Sequence, residues 1–211
     1  MKNSPARILQ STSAAILLSL PMLAHAESNF VTGAGSLTAT ARLDFQITIP
    51  RVLFLQVGTG TAGANNTTID LVTFTPTAAQ IAASTAGIAA ATNGTVAAKL
   101  IGNGGTINLT ATTAGQLTTG TAGENISWAQ IVPSTSLPGF PHPALVDGPA
   151  AGAISAYGSA AAKVTNLSAN WTFAFNAPAI PPAAGVYGGA GAASPGAGIR
   201  NGRVLYTAVM P

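Results

Sequence analysis

From Leu37 to Ile49 the chain alternates without a slip. Leu37, Ala39, Ala41, Leu43, Phe45, Ile47 and Ile49 are apolar, and Thr38, Thr40, Arg42, Asp44, Gln46 and Thr48 between them are polar. A period of two over this length predicts a half-buried strand with its odd positions toward a core. Pro50 interrupts pairing, and Arg51–Val57 follows as a second strand, whose unbroken apolar centre Val52-Leu53-Phe54-Leu55 predicts burial on both faces. Further strands are predicted over 68–75, 95–101, 106–112, 125–132, 163–175 and 203–210. Asn93-Gly94, Gly102-Asn103-Gly104-Gly105 and Gly120–Gly123 punctuate them as turns, and the Gly102–Gly105 turn reads as a hairpin connection. Trp171, Phe173 and Phe175 share one parity of their strand and are expected in the core. The Ala-rich stretch 77–91 fits either a short helix or an irregular excursion. The Pro- and Gly-rich stretches 133–149 and 177–198 are expected as long surface loops. Seven or eight short strands without alternating helices, and without an internal repeat, predict an all-β sandwich.

The first 26 residues follow a different rule. Lys2 and Arg7 precede the short apolar run Ala14-Ala15-Ile16-Leu17-Leu18-Ser19-Leu20, and Ala24-His25-Ala26 forms a small-x-small cleavage site. This reads as a Sec signal peptide cut after Ala26. The apolar run is far shorter than the roughly 20 residues that cross a bilayer, and no later stretch reaches that length, so no transmembrane segment is expected. With residues 1–26 removed, six basic side chains stand against five acidic ones, scattered along the chain. Nucleic-acid binding needs clustered Lys and Arg, and is not expected. Charged residues make up 6% of the chain, against about 25% in an average soluble domain. Surface polarity must come from Thr, Ser, Asn and Gln instead, a composition suited to secreted fibres and adhesins. With no cysteine, an exported protein relies on core size, strand pairing or assembly.

Catalytic chemistry has little to work with. His142, in Phe140-Pro141-His142-Pro143, is the one histidine after residue 26 and is expected on a solvated loop, with Asp147 the nearest acid. No Gly-x-Ser-x-Gly, phosphate-loop or calcium-loop spacing occurs. Asp44 beside Arg42 reads as an exposed ion pair, and Glu124 and Asp147, each next to glycine, read as turn residues. The Asn-x-Ser/Thr triplets, such as Asn108-Leu109-Thr110 and Asn170-Trp171-Thr172, carry little weight in so Thr-rich a chain. No catalytic residue, metal ligand or cofactor is expected, and the chain is not read as an enzyme.

The last segment is more informative. Val204, Tyr206, Ala208 and Met210 alternate with Arg203, Leu205, Thr207 and Val209, and Gly198 lies fourteenth from the end. This arrangement resembles the C-terminal strand of chaperone–usher fimbrial subunits (pilins), which carries such a glycine, alternating apolar residues and a penultimate aromatic. Met210 stands where the family has the aromatic, and the intrachain disulfide of many members is absent. The resemblance implies a pilin-like, immunoglobulin-like β-sandwich over 37–211 that lacks one strand. It also implies a subunit of an extracellular fibre assembled by donor-strand β-augmentation. Gly198, Val204, Tyr206, Ala208 and Met210 would then form the subunit contact. Residues 27–36, with Phe30 and Val31, would be the donor extension. The implied partners are copies of the chain or related subunits, a periplasmic chaperone and an outer-membrane usher, and the route runs through the periplasm to the cell surface. The other reading is a self-complete secreted or surface adhesin that binds a carbohydrate or host ligand, with Trp128, Trp171, Tyr157 and Tyr187 as a stacking surface.

Overall fold

The computed structural model of the chain describes residues 27–148, 154–159, 161–189 and 201–211. The expected signal peptide and Gly198 lie outside these residues. The chain divides into two compact units at Ile49/Pro50.

The unit ending at Ile49 is described from residue 27 and holds no helix or paired strand there, and every described residue in it is exposed. It bends at Ala34 and Gly35, where Gly35 has φ +128°, a region that favours glycine. Arg42 then reaches Glu27, with Nε donating to Oε2 at 2.6 Å and Nη2 to Oε1 at 3.0 Å. Two sequence expectations fail here. Leu37–Ile49 is not a half-buried strand of the domain: Leu43, Phe45, Ile47 and Ile49 are 63, 86, 85 and 75% exposed. Arg42 pairs with Glu27 rather than with its neighbour Asp44. On one strand face, residues two apart both point outward, but a charge fifteen residues away is reached once the chain bends.

The second unit, Pro50–Pro211, is all-β. Its strands are β1 (Leu53–Val57), β2 (Ile88–Ala89), β3 (Thr95–Gly102), β4 (Ile107–Thr113), β5 (Leu117–Thr118), β6 (Asn125–Ile126), β7 (Ile131–Thr135), β8 (Ser155–Tyr157), β9 (Thr165–Phe175) and β10 (Val204–Val209). The first sheet is built on β9. β3 pairs with it antiparallel along residues 165–172, β2 continues that edge, β7 takes the opposite edge, and β1 pairs with the far side of β3. The second sheet runs β10-β4-β8, again antiparallel, and β5 and β6 form a short ribbon of their own.

Parity explains which faces meet. Val96, Ala98 and Leu100 of β3, Ile107 and Leu109 of β4, and Ala169, Trp171 and Phe173 of β9 all belong to one buried core. Ala98 and Ala169 are register partners, and this small pair leaves room beside the fully buried indole of Trp171. A second cluster gathers Ile88, Ile126, Phe175 and Ala177.

Three further expectations are corrected. The Gly102–Gly105 turn is no hairpin, because it carries the chain from β3 in one sheet to β4 in the other. Arg51–Val57 is not buried on both faces; β1 is an edge strand and Leu53 is 40% exposed. Residues 133–149 are not simply a surface loop. The first three complete β7, and the described remainder turns inward and buries Phe140 and Pro143 completely. Phe140 packs edge-on to Tyr157 at 5.1 Å and against Trp171 at 5.2 Å. The same plug supplies the acceptors those aromatics need: Trp171 Nε1 donates to Phe140 O at 3.1 Å and Tyr157 OH to Pro141 O at 2.6 Å. The Ala-rich stretch resolves into a short helix, α1 (Ala78–Ala82), started by a capping box between Thr77 and Gln80. Strand β2 follows it. Among the described residues no helix is long and apolar enough to cross a membrane.

Candidate functional site: a groove between two strand edges

Among the described residues β1 is paired on one side only, with β3, and β10 on one side only, with β4. They belong to different sheets, and their ends meet at one corner. Arg51, just before β1, donates from Nη2 to the carbonyls of Met210 at 3.3 Å and Pro211 at 2.7 Å, just after β10. Gly104, in the turn that follows β3, donates its N–H to Met210 Sδ at 3.2 Å. Further along, a cleft of about 230 Å³ is lined by Phe54–Val57, by the loop that follows β1 from Thr59 to Thr68, and from β10 by Tyr206 alone. The start of β1 therefore meets the end of β10, and the two edges run antiparallel across the gap.

The floor of this groove is apolar and incompletely covered. Leu55 and Val57 from one side, and Tyr206, Ala208 and Met210 from the other, pack on the core but remain half-buried. Val204 is half-buried at the far end of β10, while Leu205 and Val209 point out at 57 and 52% exposure. The sequence expectation for the alternate residues of this strand thus corresponds to one face of β10, and Gly198 lies outside the described residues. The loop after β1 closes the Val57 end. Asp70 accepts from Thr59 N at 2.6 Å and from Thr59 Oγ1 at 3.0 Å, and Asn66 Nδ2 donates to Thr59 O at 2.8 Å.

Beneath Tyr206 sits a side chain the sequence reading assigned to solvent. His142 stands edge-on to Trp171, Phe173 and Tyr206, with ring centroids at 4.7, 5.2 and 5.5 Å. Its Nε2 is 2.7 Å from Tyr206 OH, and its Nδ1 contacts Pro143 O. A neutral ring satisfies both contacts, with Nδ1–H donating to the carbonyl and Nε2 accepting from the phenol. Burial pushes the His142 pKa down to about 4 and raises that of Tyr206, so both are uncharged near neutrality. The prolines flanking His142 signal an extended loop correctly. They do not reveal that the loop dives between the sheets.

Other candidate residues fall elsewhere. Asp147 accepts from Trp128 N at 2.7 Å and from Gln116 Nε2 at 3.0 Å, so its carboxylate is occupied away from His142. Glu124 accepts from Thr119 within the β5–β6 ribbon. Among the described residues no three His, Asp or Glu side chains converge as a metal site would require. Trp128, Trp171 and Tyr157 are buried at 6, 0 and 5% exposure, which removes three of the four aromatics from any stacking surface. Phe30 is 89% exposed and Val31 38%. Arg51 was overlooked in the sequence, where an Arg after a proline gives no hint of a contact with the other end of the domain. No protein-family model, curated protein or solved structure matches this chain.

Proposed function

We propose that the chain is a structural subunit of an extracellular fibre, assembled by β-augmentation into the groove between β1 and β10. The observation that carries this reading is the pair of edges, unpaired among the described residues, that flank half-buried apolar side chains. The strand order supports it. An immunoglobulin constant-type sandwich has strands A-B-E-D in one sheet and C-F-G in the other. Here β1-β3-β9-β7 runs in the order A-B-E-D, and β4-β10 in the order C-F. The seventh strand, G, would lie beside β10 and opposite β1. A strand from another chain in that place would pair its backbone with an edge and bury Tyr206, Ala208, Met210, Leu55 and Val57. Left open, such an edge is an aggregation hazard, which gives a periplasmic chaperone its role. The signal-peptide pattern of residues 1–26 supplies the export this reading needs.

Hydrogen exchange on exported protein, assembled and unassembled, tests the proposal. The edge amides of β10 and β1 should exchange readily in the monomer and become protected in filaments seen by electron microscopy. A stable monomer whose β10 edge is already protected would overturn it.

A further inference from the structure

We propose that His142 is an acid-operated latch on β10: one proton on its outer ring nitrogen releases Tyr206, and with it the strand that walls the groove. Counting protons in the cluster leads there. The Pro143 carbonyl can only accept, so the Nδ1 of His142 that contacts it carries the ring's hydrogen. Nε2 is then a bare acceptor, and the phenol of Tyr206, 2.7 Å away, donates to it. A second ring proton would sit on Nε2 and set two donors against each other. The phenol would have to turn its O–H away, and among the described residues it has no other partner to turn to.

Nothing packed against the ring offers a charge to balance that proton. Trp171 and Phe173 face it from β9, Tyr206 from β10 and Pro143 from its own loop. Tyr206 is the one titratable group among them. Tyr157 of β8 is turned onto the Pro141 carbonyl, Asp147 is held by Trp128 N and Gln116 Nε2, and Arg51 serves the end of β10. Among the described residues no carboxylate pairs with His142. A buried imidazolium without a counter-ion is costly, so the closed ring resists protonation down to a pKa of about 4. β10 is the element that yields. Phe140 and Pro143 are completely buried and β9 has a ladder on each side, whereas β10 has one ladder among the described residues and a half-buried inward face. An edge strand of this kind opens at a fraction of the global free energy. Once Tyr206 has swung out with β10, the ring meets water and its ordinary pKa of about 6.5 applies. Between these values the open form binds more protons than the closed form, so its population rises by up to about tenfold for each unit the pH falls. In the fibre reading, on which this consequence alone rests, acid removes one wall of the groove and confines strand capture to near-neutral surroundings.

The test is hydrogen exchange on the unassembled exported chain between pH 7 and pH 5, with rates corrected for the pH dependence of amide chemistry itself. The amides of β10 that bond to β4 should be less protected than those of β9 by about tenfold or more. Their protection should fall about twentyfold from pH 7 to pH 5, with the circular dichroism unchanged. Tyr206→Phe keeps the ring and removes the hydroxyl, and should lower β10 protection about fivefold at pH 7. His142→Gln takes up no proton and should flatten the pH dependence of β10. If that variant does not fold, the imidazole resonances of His142 in the parent chain decide instead: a ring that titrates at about 6.5 in the folded protein would overturn the latch. Equal protection of β10 and β9 at every pH, or a β10 pH dependence that survives His142→Gln, would overturn it as well. None of these outcomes touches the fibre reading, which stands or falls on whether the edge amides of β10 gain protection on assembly.

Discussion

Leu37–Ile49 and β9 carry the same kind of pattern and meet opposite fates. Both alternate over eleven or more residues, and both place bulky apolar side chains on one parity. In β9 that parity is the core: Trp171, Phe173 and Phe175 are at most 8% exposed. In 37–49 the same parity is exposed, with Phe45 at 86% and Ile47 at 85%. Alternation therefore specifies a strand with an apolar face and says nothing of whose core will receive it. What separates the two is their partners. β9 sits between β3 and β7 with a ladder on each side, whereas 37–49 has no ladder among the described residues.

The sharpest way to break this comparison is a pair of truncations. Trp171→Ala removes a fully buried indole and its bond to Phe140 O, and should cost about 3–5 kcal/mol in chemical denaturation. Phe45→Ala, in a monomer, should stay within about 0.5 kcal/mol of the parent. Equal losses at the two sites would mean that 37–49 packs on its own domain after all.

A second test uses pH, because the core of the domain holds a titrating group and the 37–49 segment is not expected to share it. His142 has a pKa near 4 in the folded chain and about 6.5 when unfolded. Between those values the unfolded chain binds more protons, so stability should fall as pH drops from 6.5 to 4 and level off below. The full span corresponds to about 3 kcal/mol. His142→Phe should remove this slope, leaving only the shallower contribution of the carboxylates. A slope of the same size in the variant would place the acid sensitivity elsewhere.

Much of the domain was legible from parity and turn chemistry, and the failures have identifiable causes. β3, β4, β9 and β10 match their expected spans within one or two residues at each end, since each alternates, with one face buried in β3, β4 and β9 and half-buried in β10. Glycine and asparagine at 102–105 mark a reversal, but their φ/ψ preferences do not reveal whether the next strand stays in the same sheet. Here it changes sheets. The apolar run of β1 reads as doubly buried because hydropathy cannot tell an interior strand from an edge strand. The prolines around His142 announced an irregular path, and the burial of Phe140 is set by a vacancy between Trp171 and Tyr157 that only the assembled sheets create. At the groove, the inward face of β10 was readable from its own alternation. Its opposite wall, β1 with Arg51, was not, because that contact spans 160 residues of chain.

A smaller effect is expected at the groove's closed corner. Arg51→Met keeps the aliphatic stem and removes the hydrogen bonds to the Met210 and Pro211 carbonyls, both at an exposed site. About 1 kcal/mol of stability should be lost. The loss should appear mainly as faster amide exchange over β10, because that is the element whose end the guanidinium holds. Uniform acceleration through β3 and β9 would mean that the corner is part of the global unfolding unit.

The smallest effect should come from Glu27→Gln, and its smallness is informative. The Glu27–Arg42 pair has good two-point geometry, and each partner shifts the other in the direction of its charged form: Glu27 downward, Arg42 upward. Yet Arg42 is 84% and Glu27 45% exposed at the side chain, where water and salt screen the attraction and ordering two long side chains offsets the remainder. The substitution should leave the melting temperature unchanged at physiological salt. A drop in melting temperature would show that residues 27–49 contribute to the fold of the domain, which their exposure argues against.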